Sequence, residues 1–403
     1  MNHPNILFVC DFPPSNHQGG SILAARLLAD YPVDRLTVMT GTAGLKAAPR
    51  EGQLRCRHIL FPTINETGRL GIGRLKTAIN WSLLPVLTLT IIWRIVTRHI
   101  KLSLSIAHGR FFIAATLASI ITSTPLILIV HDDWVADTSR NAYVLKYFAA
   151  ELFGFAARTA NHVYAVSQTM QELLKATYGV TSELQLPATE PYEQMSSRRN
   201  GGSEQACLRI AYSGICHTAY VDGLDVLIDV LKSGTLAASG IKSWELHLYS
   251  PVTPEDARQK GWIHQGIRFH GWVPQEDLRR GLSQADIVFA PLSFHEDMKY
   301  FVERSFPSKT ADYLACRKPV LIRAPAYSSL VQYARPLGCA EIVDEPDKEN
   351  LVRGILRIWT SPEHQRSLTA NAQLAFRENH DIITQRAGFR RIVDALANGP
   401  KWN

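Results

Sequence analysis

Short apolar runs alternate with segments of helical periodicity along most of the chain. Such alternation is typical of parallel α/β architecture, in which a crossover helix joins each strand to the next. In the first half, the apolar runs predict strands at residues 5–10, 35–40, 55–61, 102–108, 125–131 and 162–167. Helical periodicity predicts helices that include residues 110–120 and 142–160.

A segment without periodicity, residues 187–206, interrupts this pattern, and its Pro, Ser, Gly and charged residues predict a linker. The alternation then restarts, with predicted strands at residues 207–213, 244–250, 267–273, 285–291, 318–324 and 339–345. We therefore predict two tandem Rossmann-like, doubly wound domains, residues 1–186 and 207–378, that face a central cleft. We expect the last helix, within residues 379–403, to pack back on the N-terminal domain.

Composition sets limits on this picture. The 403 residues exceed what one hydrophobic core usually supports, and 46% hydrophobic with 20% charged residues indicates a globular protein. The six cysteines are scattered without a C-x-x-C pair, which argues against a disulfide framework or structural zinc site and fits a reducing cytosol. The N-terminal MNHPNILFVCDFPPS has neither a basic segment nor a long apolar segment, so we expect no secretory signal and a cytoplasmic protein.

Net positive charge is concentrated in residues 67–131 because they contain no Asp or Glu, and the net charge of +7 for the whole chain favours anionic partners in general. Residues 79–96 form the most apolar run, but the run barely reaches the length of a bilayer core and contains Asn80 and Arg94. We predict a buried crossover helix with Pro85 in its first turn. Its basic flanks either dock on an anionic membrane, as a peripheral contact, or form an ordinary solvated face. No aromatic-basic motif accompanies the charge, so we expect no nucleic-acid binding.

Candidate ligand-binding glycines follow the first strand of each predicted domain. In parallel sheets, ligands bind beyond the carboxyl ends of the strands, where glycines let the backbone approach a phosphate. Gly19 and Gly20 follow the strand at 5–10 and open a helix, and Gly214 follows the strand at 207–213. Taken alone, the first of these patterns favours a plain loop-to-helix turn, since it matches neither G-x-G-x-x-G nor a Walker loop.

The segment FVERSFPSKTADYLACRKPVLI, residues 301–322, places many polar groups just before a helix and a buried strand. Ser308 is a candidate N-cap, and Lys309 then lies in the first helical turn. A lysine there opposes the helix dipole, unless a bound anion such as a diphosphate lies between them. The alternative is a solvated lysine that points away. Asp312 lies three residues on, along the same helix face.

The block PSKTADYLACRKPVLI, together with IRFHGWV, ADIVFAPL and RENHDI, resembles the signature of the retaining family 4 glycosyltransferases, also called glycosyl transferases group 1, which have the glycosyltransferase-B fold. Their typical block is an E-x7-E motif whose second acid begins E-A-M-A-x-G-K-P-V. In this sequence Asp312 stands in the place of that acid. The resemblance covers nearly the whole chain.

The resemblance implies a role for each candidate residue. Asp312 would hold the ribose of the donor, while the side chain of Lys309 and its neighbour Ser308 would face the diphosphate. His131 and the adjacent Asp132 would be the catalytic pair, since His131 resembles the family's N-domain histidine near the transferred sugar. The remaining donor-binding candidates are Gly19, Gly20, Gly214, Trp272, Val273, Glu303 and Arg304, with Gly20 also facing the diphosphate and with Trp272 and Val273 near the base.

Two departures from the family pattern concern charge. The first Glu of the E-x7-E spacing is replaced by Arg304, next to Glu303. The second-domain Arg and Lys that usually grip the diphosphate are missing, because Ile215 follows Gly214 and Asp222 precedes Gly223. Each charge-assisted hydrogen bond lost there is worth roughly 1.5–3 kcal/mol. Arg304 and Lys309 are the candidates to replace those cations.

We therefore predict a hexosyltransferase-type enzyme that moves a sugar, with retention, from a nucleotide-diphosphate sugar to a saccharide or lipid-linked acceptor, as in cell-surface polysaccharide or glycolipid assembly. We expect no metal or other cofactor, because no aspartate-rich metal motif appears. Two alternatives stay open: a nucleotide-sugar epimerase on the same fold, and a catalytically silent nucleotide-sugar-binding or scaffold protein. Turnover separates them, because an epimerase needs no acceptor and a scaffold converts nothing.

Overall fold

A computed structural model describes residues 3–15, 19–47, 53–64, 70–141, 145–192 and 207–399 of the protein. The chain divides into two compact units: the first holds residues 1–186 and 382–403, and the second holds residues 187–381. The chain thus leaves the first unit after Leu186 and returns to it at Ile382. Of the predicted linker, residues 193–206 lie outside the described residues.

The first unit contains a seven-stranded parallel sheet with the strand order β3-β2-β1-β4-β5-β6-β7. Its strands are β1 Ile6–Val9, β2 Leu36–Gly41, β3 Arg57–Phe61, β4 Leu102–Ile106, β5 Leu126–Val130, β6 His162–Ala165 and β7 Glu183–Leu184. Its helices are α1 Gly19–Leu28, α2 Thr42–Ala47, α3 Leu70–Ser82, α4 Leu84–Thr97, α5 Phe111–Thr122, α6 Trp134–Asn141, α7 Ala149–Thr159 and α8 Gln168–Tyr178. Every residue of β1, β4 and β5 is buried, as expected of parallel strands covered on both faces.

The second unit contains a six-stranded parallel sheet with the strand order β10-β9-β8-β11-β12-β13. Its strands are β8 Cys207–Ser213, β9 Ser243–Tyr249, β10 Ile267–Phe269, β11 Ile287–Pro291, β12 Val320–Arg323 and β13 Glu341–Val343. Its helices are α9 Thr218–Lys232, α10 Thr235–Ala238, α11 Pro254–Gln259, α12 Gln275–Gln284, α13 Lys299–Arg304, α14 Lys309–Ala315, α15 Ser329–Leu337, α16 Lys348–Thr360 and α17 Pro362–Asn379. The predicted tandem Rossmann-like fold is confirmed.

The last helix, α18 Ile382–Asn398, belongs to the first unit. The Arg386 Nε donates to the carbonyl of Arg26 in α1 at 2.9 Å, and Arg390 forms an ion pair with Asp30. Thr189, near the first residue of the second unit, forms a β-bridge with Asp381, its last residue. The two ends of the second unit are therefore adjacent.

Strand order positions the candidate sites. Each sheet reverses its direction of winding once, between β1 and β4 in the first unit and between β8 and β11 in the second. The crevice beyond the carboxyl ends of the strands at such a reversal is where open α/β sheets bind ligands. The loops after β1, β4 and β8 therefore matter most.

Several predicted boundaries differ from the observed ones. The strand predicted at 267–273 ends at Phe269, and the exposed two-residue strand β7 is too short to leave a pattern. The helix predicted at 142–160 begins at Ala149, after a 3-10 turn at Leu145–Tyr147, and residues 142–144 lie outside the described residues.

The apolar run 79–96 is divided between two helices, since α3 ends at Ser82 and α4 begins at Leu84. Pro85 lies in the first turn of α4, as predicted, where its missing N–H costs no hydrogen bond. The prediction that this helix is buried is wrong for one of its faces. Leu87, Ile91 and Ile95 are buried, but other large apolar side chains on α4 are exposed.

Candidate functional site

The loop after β8 keeps an open backbone surface. The chain turns through Gly214, whose φ of +110° favours glycine, and the Gly214 N–H donates to the carbonyl of Tyr249 at the end of β9. The nearest atoms to a Cβ placed on Gly214 are Cε and Nζ of Lys309, both at 3.5 Å. The turn therefore places bare backbone directly beside the Lys309 ammonium.

Lys309, the first residue of α14, directs its ammonium onto two tyrosines. Its Nζ donates to Tyr212 Oη at 2.8 Å and lies 4.0 Å from the ring centroid of Tyr212 and 3.8 Å from that of Tyr220. Part of the residue reaches solvent, but the groups packed around the ammonium desolvate it and lower the pKa of Lys309 to about 7. Among the described residues, no Asp or Glu pairs with Lys309. The alternative of a solvated lysine pointing away is therefore wrong.

Ser308 precedes α14 as predicted, but its hydroxyl makes no capping hydrogen bond. Its backbone is already helical, with φ −59° and ψ −28°, whereas a capping serine usually has extended backbone. The helix α14 is held in place through Tyr313, whose Oη accepts from the Ser213 N–H at 2.8 Å. This bond fixes the start of α14 against the end of β8, and so fixes Lys309 beside Gly214.

The Asp312 side chain is buried and oriented by two donors. Its Oδ1 accepts from Tyr192 Oη and from Gln275 Nε2, each at 3.1 Å. Both partners come from segments far from α14 in the sequence, which is why sequence analysis missed them. The carboxylate therefore has a defined orientation without a ligand.

The other donor-binding candidates of the second unit lie at two different places. Glu303 and Arg304 are the last residues of α13, and they pair with each other at 3.7 Å. Trp272 and Val273 lie in the loop between β10 and α12, with Trp272 48% exposed. Of the predicted cations, Lys309 therefore lies beside Gly214, whereas Arg304 pairs with the adjacent Glu303.

The two cations missing after Gly214 are not replaced within the loop itself. Ile215 occupies the first position and is 41% exposed. Gly223 has a packing role, because a Cβ there would lie 2.4 Å from Cβ of Pro291 at the end of β11. That glycine lets α9 approach the sheet. The lysine that lies beside Gly214 is instead Lys309, which comes from α14.

In the first unit, a histidine follows β5 and lies against the start of α1. A Cβ on Gly20 would lie 1.3 Å from His131 Nε2, so this helical position admits only glycine while the ring stays in place. His131 is 8% exposed, and neither ring nitrogen makes a hydrogen bond with a described residue, although Nδ1 lies 3.2 Å from Asp132 Oδ2. Asp132 has 42% of its side chain exposed. The ring of His131 therefore lies between Gly20 and the carboxylate of Asp132. Gly19 is the first residue of α1.

Sequence analysis missed an ion pair at the same edge of the first sheet. Asp11 follows β1 and His108 follows β4, and His108 Nδ1 lies 2.8 Å from Asp11 Oδ2. Desolvation opposes protonation of His108, but the charge and hydrogen bond of Asp11 outweigh it and raise the pKa of His108 to about 9. A Cβ on Gly109 would lie 2.7 Å from Asp11 Oδ2. Both residues lie just beyond the carboxyl end of a strand, which is the same criterion that identified Gly19 and Gly20. That criterion could have identified this pair as well.

Within the described ranges, no group of three or more His, Cys, Asp and Glu side chains is arranged to hold a metal ion. Metal-independent chemistry stays a prediction.

Two family descriptions match different parts of the chain. "Glycosyltransferase Family 4" matches residues 45–185, and "Glycosyl transferases group 1" matches residues 208–361. Together the matches cover most of both units. Comparison with curated protein sequences gives no significant match.

Solved structures share the fold at low sequence identity. HepE from Anabaena, solved with UDP and glucose, has a TM-score of 0.67 at 15% identity, covering 98% of this chain and 100% of that one. Sucrose-phosphate synthase from Thermosynechococcus elongatus has a TM-score of 0.66 at 16% identity, with coverage of 98% and 100%. A putative UDP-N-acetylglucosamine 2-epimerase from Listeria monocytogenes has a TM-score of 0.61 at 12% identity, with coverage of 99% and 98%.

These structural similarities establish the architecture, while the two family matches supply the activity class. Two parallel-sheet units, each matched by a glycosyltransferase description, form a tandem Rossmann-like pair. The chain is therefore a glycosyltransferase with the glycosyltransferase-B fold.

Proposed function

We propose that this enzyme transfers a hexose, with retention of configuration, from a nucleotide-diphosphate sugar, and that Lys309 binds the diphosphate. The observation that carries the proposal is a desolvated ammonium with no carboxylate partner among the described residues, directly beside the bare backbone of Gly214. A cation left in this state costs folding free energy, which an anionic ligand offsets.

The chemistry of the leaving group explains why such a cation is useful. As the bond from sugar to diphosphate breaks, negative charge grows on the diphosphate oxygen, and a fixed positive charge stabilises it. With a pKa of about 7, Lys309 is protonated in about half of the free molecules at neutral pH. A bound diphosphate favours the protonated form, so binding takes up a proton.

We assign the remaining donor contacts by the family resemblance. Asp312, already oriented by Tyr192 and Gln275, would accept from the ribose hydroxyls, and the exposed Trp272 would contact the base. His131 with Asp132 remains our candidate catalytic pair, supported by a buried ring without hydrogen-bond partners in the described part of the chain.

The donor base is inferred from a structural relative. HepE was solved with UDP and glucose, which makes UDP-glucose the first donor to test on this chain. We propose a saccharide or lipid-linked acceptor, in cell-surface polysaccharide or glycolipid assembly. The basic, acid-free residues 67–131 support an acceptor at an anionic membrane, with the enzyme in the cytoplasm and peripheral on the inner face of that membrane.

Two alternatives each have one supporting observation. A nucleotide-sugar epimerase is supported by the fold shared with the Listeria protein. A silent binding protein is supported by Ile215 at the place of a diphosphate-binding cation.

The decisive experiment is calorimetric titration of UDP, GDP, ADP and CDP into the wild type, Lys309→Ala and Lys309→Arg. We expect one nucleotide to bind, Lys309→Ala to lose most of the affinity, and Lys309→Arg to keep part of it. The matching sugar nucleotide, incubated without acceptor, then separates the classes: an epimerase produces an isomeric sugar nucleotide, whereas a transferase releases at most slow hydrolysis products. If no nucleotide binds at millimolar concentration, the donor-binding assignment is wrong.

A further inference from the structure

One face of α4 presents a row of large apolar side chains to solvent. Val86 is 51% exposed, Leu89 65%, Trp93 54% and Val96 61%. At about 100° per residue, these four positions lie on one stripe of the helix. Nothing in the described part of the chain covers that stripe.

The opposite face of α4 is part of the hydrophobic core. Leu87, Ile91 and Ile95 pack in one cluster with Leu7 and Val9 of β1. By length and composition alone, the helical stretch Leu75–Thr97 is long and apolar enough to cross a membrane. Crossing would pull these three side chains away from the core and expose the residues that they cover there, such as Leu7 and Val9, to water. The core contacts therefore exclude a spanning orientation of α4 and leave its outer stripe available.

The cations beside this stripe indicate what kind of surface it contacts. The Arg94 guanidinium lies 4.1 Å from the ring centroid of Trp93, at the edge of the stripe. Arg98 and Lys101 are exposed just beyond the end of α4. Since residues 67–131 contain no Asp or Glu, the sequence supplies no acid in this region to neutralise these cations. A row of apolar side chains with an indole and flanking cations matches the boundary between headgroups and acyl chains of an anionic bilayer.

A second helix adds to the apolar surface. On α3, which precedes α4 directly, Leu75 is 62% exposed and Ile79 is 39% exposed, and the spacing of four residues places them on one face. Exposed apolar side chains thus continue along both helices of the run. Isolated exposed apolar residues are ordinary on protein surfaces, but six large ones on two consecutive helices are not.

We propose that α4 lies in the plane of an anionic membrane surface, with Val86, Leu89, Trp93 and Val96 inserted at the headgroup boundary and the opposite face retained in the protein core. The inference names the surface responsible for the membrane association proposed with the function. It rests on that association, yet lipid binding is measured without a sugar donor, so it fails or stands separately from glycosyl transfer.

The test is flotation of the full chain with two kinds of vesicle, one of phosphatidylcholine alone and one of phosphatidylcholine mixed equally with phosphatidylglycerol. We expect the wild type to float with the mixed vesicles only. The double variant Leu89→Glu/Trp93→Glu should lose that binding by at least about tenfold, because two apolar anchors become anions. The matched control is Leu374→Glu on α17, where a leucine of 54% exposure lies in the second unit, and it should float like the wild type.

A charge variant covers the case in which the apolar variant folds poorly. Arg98→Gln/Lys101→Gln leaves the stripe intact and should weaken flotation by about 30-fold at low salt, because two cations that attract the anionic surface are removed. An alkaline carbonate wash should release the bound protein.

Three results would overturn the proposal. One is a wild type that does not float with the mixed vesicles, and another is a double variant that floats as well as the wild type. The third is a protein that resists the alkaline wash, which would indicate a spanning helix. If the wild type instead sediments as a dimer that the double variant dissociates, and neither binds lipid, then the stripe is covered by a second copy of the chain.

Discussion

The two units each hold a cation near the carboxyl ends of the central strands, but they treat it oppositely. In the first unit, His108 has its own carboxylate, Asp11, and its pKa rises to about 9. In the second, Lys309 has two tyrosines and no carboxylate among the described residues, and its pKa falls to about 7. A cation with its own counterion stays charged in the free protein. A desolvated cation without a counterion is stabilised only when an anionic ligand binds.

Replacement of Lys309 should have the largest effect. Lys309→Met keeps much of the side-chain volume and removes the charge, so we expect nucleotide-diphosphate affinity to fall about 10- to 100-fold, the loss of one charge-assisted contact of about 1.5–3 kcal/mol. Calorimetry measures it. The free variant should be at least as stable as the wild type, because a desolvated ammonium has been removed. Unchanged affinity would show that Lys309, unlike a cation that binds an external anion, does not contact the diphosphate.

The glycines beside the two sites give the next comparison. Gly214 leaves its neighbour 3.5 Å away, but a Cβ on Gly20 would overlap His131 at 1.3 Å. Gly20→Ala should therefore displace the ring and lower the free energy of unfolding by about 1–3 kcal/mol, together with turnover. The control is Gly388→Ala in α18, where the nearest atom is 3.9 Å away, and which should be stabilising by up to about 1 kcal/mol. Denaturant unfolding of both variants decides, and equal effects would contradict the assignment of the Gly20 contact.

The pH dependence of nucleotide binding follows from the pKa of Lys309. Below pH 7 the lysine is protonated before and after binding, so affinity is highest there. As the pH rises above about 7, binding requires proton uptake, and affinity should fall by up to about tenfold per pH unit. Calorimetry in buffers of different ionisation enthalpy measures that uptake. Lys309→Met supplies the reference for the ligand's own phosphate titration, and the same pH slope in both proteins would refute the role of Lys309.

The pKa of His108 is shifted in the opposite direction to that of Lys309, and its pair with Asp11 should show the smallest effect. A histidine whose pKa is raised to about 9 stabilises the fold fully below its unfolded pKa of about 6.5, and this contribution is lost as the pH rises through 9. The side chains are 45% and 30% exposed, so solvent screening keeps the contribution below about 1 kcal/mol. The melting temperature of the wild type minus that of Asp11→Asn should therefore shrink between pH 6.5 and 9.5, roughly the interval over which the pair loses its proton. A constant difference would mean that the pair is not held together by charge.

Apolar patterning was sufficient to predict the architecture, because buried parallel strands are nearly continuous apolar runs. It placed Pro85 correctly in the first turn of α4, yet it missed that the run breaks at Leu83 and exposes one face. Composition records how apolar a helix is, and only tertiary packing decides which side is covered.

The candidate site was predictable only where neighbours in sequence are neighbours in space. Lys309 stood out because a lysine in the first turn conflicts with the helix dipole. Its partners Tyr212 and Tyr220 come from β8 and α9, about a hundred residues earlier, and no local pattern links them to it. Asp11 and His108 are likewise 97 residues apart, and only the strand order brings them together.

The return of the chain at Ile382 makes the second unit an insertion whose two ends meet. The Thr189 N–H donates to the carbonyl of His380 at 3.0 Å, so the segments at which the chain enters and leaves residues 187–381 lie side by side. A domain with adjacent termini can be excised, or rejoined with new ends, without separating its core elements. The first unit has no such independence, because a fragment that stops at Leu186 lacks α18 and its contacts with Arg26 and Asp30. The second unit is thus the part of this enzyme that can be separated, whereas the first unit is built from two segments that are distant in the sequence.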